Sequence, residues 1–281
     1  MNVIIIPNRA KDKDLVVTQS VVSKLCSLGI IPYISREYLN DGEINNANLY
    51  DELPTSADLI IVIGGDGSMI DASQIALSLD IPLIGVNLGH VGYLSEIEPD
   101  EINILDRLIG DYRVEEKMLL VASHVSSDGL VESTSRFAVN DIVVSHGDYL
   151  GISDFRVANT SGEYIKYRAD GVVISTPVGS TAYALSAGGP VVSHTLESIT
   201  VTPVCPHSFF NRSIVYDSSD ILSVVNDNDL CLNVSVDGRF YTKIAKGESC
   251  VVRCASRKLK IMTFEKNNTL SKLFAKIKQF E

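Results

Sequence analysis

The sequence predicts an α/β protein in two parts, an N-terminal doubly wound α/β domain followed by a C-terminal β-sandwich-like domain. Three observations carry this expectation. Apolar β-branched runs alternate with amphipathic stretches up to about residue 114, the pattern of a parallel sheet with crossover helices. Past about Glu115, short β-rich runs separated by turn signals replace the helices. Between Leu59 and Ser68 an apolar run stops at Gly64-Gly65-Asp66-Gly67, and a helical pattern follows at once.

In chain order, Val3–Ile6 reads as the first strand, and Leu15, Val17, Val21, Leu25 and Leu28 form a helical stripe ending at Gly29. Ile30–Ile34 reads as a second strand, and Asn40–Asp51 as a surface loop with a short turn. Leu59–Ile63 is a buried strand, and Met69, Ala72, Ala76 and Leu79 fall on one face of the helix after it. Ile81–Val86, the glycine loop Asn87–Tyr93 and an acidic helix around Asp100–Ile109 complete the first domain. The β-rich part follows with Leu119–Val125, Arg136–Val144, Ile152–Val157, Val172–Ser175, Ile221–Val225, Leu230–Val236, Cys250–Arg253 and Leu259–Phe264. Ser127–Gly129 and Asp237-Gly238 are hairpin turn signals within it. The tail from Thr269 to Phe280 returns to a helical pattern, with Leu270, Leu273, Phe274 and Ile277 on one face. These readings divide the chain into residues 1–114, with the tail helix of 265–281 packing back on them or on a neighbouring subunit, and an all-β domain over 115–264.

Composition narrows the partners. The 281 residues carry a formal net charge of -11, which argues against a sequence-independent grip on nucleic acid. No apolar run approaches the ~20 residues of a membrane span, and Met1–Pro7 is too short for a signal peptide. The five cysteines form no Cys-x-x-Cys pair, which predicts free thiols in a reducing cytoplasm and no zinc site. The five histidines show no metal-ligand spacing.

Three constellations are candidates for chemistry. The Gly64–Gly67 turn aims backbone N–H groups and a helix N-terminus at an anion, yet Asp66 in its middle would repel a phosphate. Asp66 therefore needs a separate task, a proton to accept or a metal to hold; tight strand–helix packing explains the glycines equally well. The Asn140-Asp141 pair inside an apolar run needs partners for both side chains, which a base edge and ribose hydroxyls would supply. An Asx-type turn or bulge accounts for it as well. From Arg168 to Pro190 a strand runs into a loop of small residues, hydroxyls and glycines, which lets a ligand approach the backbone.

Taken together, these motifs resemble the NAD kinase family, the ATP-dependent kinases that convert NAD to NADP, in its short bacterial form. The resemblance covers nearly the whole chain. It rests on the Gly-Gly-Asp-Gly turn, the loop ending Gly92-Tyr93-Leu94, the Asn-Asp pair, the Asp-Gly…Thr-Pro-x-Gly-Ser-Thr-Ala-Tyr signature of 170–183 and the Asn-Thr-Leu-Ser-Lys-Leu tail. It implies that Asp66 is the general base acting on the 2′-hydroxyl of the adenosine ribose, with Gly65 and Gly67 close to ribose or phosphates and Tyr93 as a stacking face. Asn140 and Asp141 would bind the dinucleotide through its base and ribose hydroxyls, and Asp170 its nicotinamide half. Thr181, Ala182, Tyr183 and Ser186 would hold the adenosine and phosphate portion, and Arg168 would bear on the choice of NAD over NADH. Asp141 stands where many relatives have Glu, and Tyr93 where Phe is usual. The resemblance further implies a divalent cation, Mg²⁺ foremost, carried on ATP, and a homo-oligomer, dimer or tetramer. Two other readings share the turn: a non-catalytic NAD or nucleotide sensor, which would gain nothing from Asp66, and a lipid kinase, which would need a membrane-facing groove or basic patch.

Overall fold

The computed structural model of the chain describes residues 1–40, 43–89, 92–131, 135–147 and 151–264. The expected tail helix of 265–281 lies outside the described residues. Contacts divide the chain into two compact units, Met1–Glu116 together with the segment from Leu259, and Lys117–Lys258.

The first unit is built on one seven-stranded sheet. Its strands are β1 (Asn2–Pro7), β2 (Ile31–Ser35), β3 (Asn48–Tyr50), β4 (Leu59–Gly64), β5 (Leu83–Asn87), β6 (Arg113–Lys117) and β19 (Leu259–Thr263), in the order β3-β2-β1-β4-β5-β19-β6. The five pairings from β3 through β19 are parallel. Helix α1 (Val16–Ser27) buries Thr18, Val21, Val22 and Leu25. Helix α2 (Asp66–Leu79) buries Met69, Ala72, Ser73, Ala76 and Leu77. Strand β4 is inaccessible along its length from Leu59 to Ile63, which is why those five residues read as one unbroken apolar run. Because β1 leads outward to β2 and β3 while β4 and β5 lie on its other side, the strand order reverses between β1 and β4, at the carboxyl ends of which such sheets bind ligands.

Three expectations for this unit change. The Asn40–Asp51 stretch is not wholly loop, since Asn48–Tyr50 pairs with β2 as the edge strand. The segment expected as an acidic helix is a 3₁₀ turn over Ile102–Ile109, its Leu105 and Leu108 buried. Leu259–Phe264 does not belong to the β-rich unit: β19 pairs Ile261 with Leu83 of β5 and lies between β5 and β6 in the first sheet. Its apolar run is buried on both faces, the signature of an interior parallel strand and not of a half-solvated antiparallel one.

The second unit contains two six-stranded antiparallel sheets. Its strands are β7 (Leu120–Val125), β8 (Arg136–Ala138), β9 (Asp141–His146), β10 (Ser153–Ala158), β11 (Tyr164–Ala169), β12 (Gly171–Ser175), β13 (Ser198–Val204), β14 (Ile214–Asp217), β15 (Ile221–Asn226), β16 (Leu232–Val236), β17 (Arg239–Ile244) and β18 (Ser249–Cys254). One sheet runs β11-β10-β15-β18-β7-β8 and the other β14-β13-β12-β9-β16-β17. Alternate residues of both, among them Phe155, Leu222 and Val252 from the first and Ile142, Ile174 and Val234 from the second, form one core. Removing a ring such as Phe155 from it would cost about 3–5 kcal/mol. The Asp237-Gly238 turn joins β16 to β17 with positive φ at both residues, as a two-residue hairpin requires.

Here too one expected strand divides. Arg136–Val144 is not continuous; β8 ends at Ala138 in one sheet and β9 begins at Asp141 in the other. The break falls at Val139-Asn140 because the N–H groups of Val139, Asn140 and Asp141 turn to the Asp237 carboxylate, at 2.8, 2.8 and 3.1 Å. Among the described residues, no helix is long and apolar enough to cross a membrane.

Candidate active site

The candidate residues fall in two groups, one in each unit. In the first unit, strand β4 delivers the chain to Gly65, an extended N-cap from which α2 starts at Asp66. Asp66 does not point away from the fold: its Oδ2 accepts from the Tyr93 N–H at 3.1 Å and its Oδ1 from the Leu94 N–H at 2.9 Å. The carboxylate thus clamps the second glycine loop onto the first. That loop leaves β5 at Asn87, whose Oδ1 accepts from Gly89 N–H and whose Nδ2 donates to Glu98. Gly65, Asp66, Gly67 and Tyr93 are therefore brought together, with Gly67 exposed at the helix start. Burial, and then the neighbouring Asp66 charge, push the Tyr93 phenol above its ordinary range, so it stays neutral beside the carboxylate.

In the second unit the Asn140-Asp141 pair meets the loop that follows β12. Thr176 donates its N–H to the Asn140 carbonyl at 2.9 Å and its hydroxyl to the Val139 carbonyl at 2.7 Å. Gly179 lies so close that a methyl there would collide with the Asn140 carbonyl oxygen, so the loop tolerates no side chain at that point. A 3₁₀ turn over Gly179–Thr181 leads into the short α3 (Tyr183–Ser186). Thr181 is buried, with its hydroxyl donated to the Val178 carbonyl, whereas Tyr183 and Ser186 are exposed and Ala182 is half-buried.

The electrostatics of this group centre on two carboxylates. Burial first, and the charge of Asp237 second, push Asp141 up to about 7. Asp237 is raised by burial as well, but its three N–H donors and Arg239 pull it back toward the charged form. Of the pair, Asp237 keeps the charge and Asp141 takes the proton near neutrality. Burial also raises the Tyr183 phenol, with Cys205, Asp141 and Asp170 adding to the shift, which places those groups within one field. Arg168 is exposed on the edge strand β11, with its N–H donated to the Ser208 hydroxyl at 2.6 Å.

Sequence reasoning missed Asp237, which organises the Asn-Asp pair from nearly a hundred residues away. The Asp237-Gly238 signal marks a turn and does not tell where the carboxylate goes. Sequence reasoning also missed Asn87, for which an Asn closing an apolar strand at a glycine loop is the available signal. Among the described residues no three His, Cys, Asp or Glu side chains converge to hold a metal.

Comparison with known proteins shows the family of the chain. The ATP-NAD kinase N-terminal domain model matches residues 3–112, and the ATP-NAD kinase C-terminal domain model matches residues 139–264. The chain belongs to the ATP-NAD kinase family. It is similar to the NAD kinase of Caldanaerobacter subterraneus subsp. tengcongensis, 36% identical over 244 residues, which covers 85% of this chain and 86% of that protein. Its fold matches yeast NADH kinase, crystallised in complex with NADH, with a TM-score of 0.83 at 21% identity over 99% of this chain and 86% of that one. The NAD kinase from Archaeoglobus fulgidus in complex with ATP matches with a TM-score of 0.74, again at 21% identity, over 99% of both chains. As an ATP-NAD kinase the chain is an enzyme, a phosphotransferase that phosphorylates NAD at the expense of ATP. The lipid-kinase and sensor readings find no support in these matches.

Proposed function

We propose that the chain transfers the γ-phosphoryl group of ATP to the 2′-hydroxyl of the adenosine ribose of NAD, with Asp66 as general base. The hydroxyl oxygen forms a bond to the γ-phosphorus as the bond to the β,γ-bridging oxygen breaks; the hydroxyl proton passes to Asp66, and ADP and NADP leave. The observation that carries this reading is the placement of Asp66. A carboxylate at the head of a helix, where a phosphate would otherwise sit, is held by two backbone N–H groups, one to each oxygen. A carboxylate has about four acceptor sites, so two remain for a substrate proton. A positioned base of this kind contributes ~10²–10⁴-fold.

In this reading Asn140 and Asp141 receive the base and ribose of NAD, Asp170 faces its nicotinamide half, and Thr181, Ala182, Tyr183 and Ser186 flank the adenosine and phosphates. Gly65 and Gly67 leave room for the donor, Tyr93 offers a stacking face, and Arg168 bears on NAD over NADH. A divalent ion, Mg²⁺ by preference, would arrive on the phosphates of ATP. When bound it neutralises charge on the transferring group. We further infer a cytoplasmic homo-oligomer, a dimer or tetramer, in keeping with free cysteines throughout.

The test is a coupled assay with NAD, ATP and Mg²⁺, NADP being read by a dehydrogenase that ignores NAD. NADP formation by the wild type that falls at least a hundredfold in Asp66→Asn, with NAD affinity by calorimetry near normal, is the expected result. Turnover unchanged in Asp66→Asn removes the base assignment.

A further inference from the structure

The segment that follows β1 is more ordered than its polar composition, Asn8–Asp14, leads one to expect. The Asn8 carbonyl accepts from the N–H groups of Lys11 at 3.0 Å and Asp12 at 2.9 Å, and its Oδ1 accepts from Ala10 N–H at 3.1 Å. Its Nδ2 donates to the Ser68 hydroxyl in the first turn of α2, at 2.8 Å. At the other end, Asp12 is buried and accepts from Val17 N–H, Thr18 N–H and the Thr18 hydroxyl at the start of α1. Both ends are tied down, and Lys11 is held between them.

The Lys11 ammonium lies over the glycines of the two loops. A methyl on Gly65 would sit 2.6 Å from Nζ, and one on Gly89 would sit 3.4 Å from it. The same two glycines approach each other at this point, so the ammonium fills a cradle that any other residue would occupy with its own side chain. It has no acidic partner among the described residues, and Asp66, the carboxylate next to Gly65, is engaged with Tyr93 and Leu94 N–H groups. A cation beside the start of a helix is ordinarily unfavourable, and an anion placed between them relieves both.

A second observation is independent of that charge. Ile6, Pro7, Asn8, Tyr38, Ser68 and Asp71 line a cavity of about 190 Å³ at the carboxyl end of β1. Whole-ligand sites run to ~300–1,000 Å³, so this one accommodates a part of a nucleotide, a base or a ribose. It presents an aromatic ring and a carboxylate, and it shares Asn8 and Ser68 with the segment that positions Lys11.

We propose that this cavity and Lys11 together seat the phosphoryl donor: Tyr38 and Asp71 receive its nucleoside, and the Lys11 ammonium takes its phosphate chain over Gly65, next to Asp66. The inference rests on the reading that ATP phosphorylates NAD at Asp66 and adds to it the residues that hold the donor. Lys11 acts by charge on the bound phosphates, and Asp71 by accepting from ribose hydroxyls.

The experiment uses the full chain with Lys11→Met, Lys11→Arg and Asp71→Asn. It measures KM for ATP and for NAD, and inhibition by inorganic tripolyphosphate, which offers phosphates without a nucleoside. Lys11→Met is expected to raise KM for ATP about tenfold or more, to leave KM for NAD within about twofold, and to weaken tripolyphosphate inhibition, because a charge-assisted contact is lost. Lys11→Arg is expected to recover most of the loss. Asp71→Asn is expected to raise KM for ATP while leaving tripolyphosphate inhibition as in the wild type. An unchanged KM for ATP in Lys11→Met, or an equal rise in both KM values, overturns the assignment of Lys11. An Asp71→Asn effect that tripolyphosphate inhibition follows in parallel overturns the division between nucleoside and phosphate. Wild-type protein that makes no NADP would instead remove the reading beneath; wild-type activity with an indifferent Lys11→Met removes this inference alone.

Discussion

Asp66 in the first unit and Asp237 in the second each hold a distant stretch of backbone by its N–H groups, but they are left with different things to spare. Asp66 accepts from two amides, one on each oxygen, and has no second carboxylate of the site bonded to the same loop. Asp237 accepts from three successive amides, and its charge adds to the upward shift that burial gives Asp141. The same clamp therefore leaves acceptor sites free in one place and breaks a strand between two sheets in the other. The difference teaches that a carboxylate at a glycine turn is not by itself catalytic; how many of its acceptor sites the fold consumes decides what it can still do.

The largest effect that would break this contrast is in Asp237. Asp237→Ala leaves three donors without their acceptor, at roughly 1–3 kcal/mol for each that stays dry, and is expected to lower stability by about 3 kcal/mol or more in urea unfolding. Asp66→Asn keeps one good acceptor and is expected to cost only about 1 kcal/mol while abolishing most turnover. Equal destabilisation by the two variants would mean that the clamps are equivalent.

Next in size is Gly179→Ala. The added methyl meets the Asn140 carbonyl, and backbone must shift to admit it. Overpacking of this kind costs about 1–3 kcal/mol. Weaker NAD binding by calorimetry, with KM for ATP little changed, is the expected signature; normal NAD affinity would detach this loop from the Asn-Asp pair.

The last effect is one of pH. The Asp141 carboxyl is raised in the folded state to about 7, whereas its unfolded value is about 4. Below about pH 4 both states hold the proton and nothing is lost. Between about 4 and 7 the unfolded chain gives it up while the folded one keeps it, so stability falls as pH rises, and above 7 the difference is constant. The stability of the wild type relative to Asp141→Asn should accordingly decline from pH 4 to 7 and then level off. Curves that run parallel over that range would show that Asp141 does not carry the shift.

Much of this architecture is legible in the sequence because it depends on local pattern. Leu59–Ile63 reads as a buried strand from five consecutive apolar residues, and Asp237-Gly238 reads as a hairpin from two. What escaped depends on distance. The division of Arg136–Val144 is set by a carboxylate that the chain supplies only after three further hairpins, and an apolar run gives no sign of where its amides will turn. Leu259–Phe264 is a sound strand by composition, but its sheet is decided by a free edge on β5. Among the candidate residues, Asp66, Asn140 and Asp141 announce themselves as polar groups in apolar surroundings. Lys11 sits in a run already rich in charge, where one more cation carries no signal.

The return of β19 to the first sheet has a consequence during synthesis. The place beside β5 stays unfilled until the ribosome has translated the whole of the intervening β-rich unit, on the order of ten seconds or more at ~5–20 residues per second. For that interval the nascent parallel sheet offers an apolar edge of its own making, and the unit that delays it gains its own last strand, β18, just before β19 is made. The order of birth is thus the reverse of the order of completion: the half that begins the protein is the last to be finished.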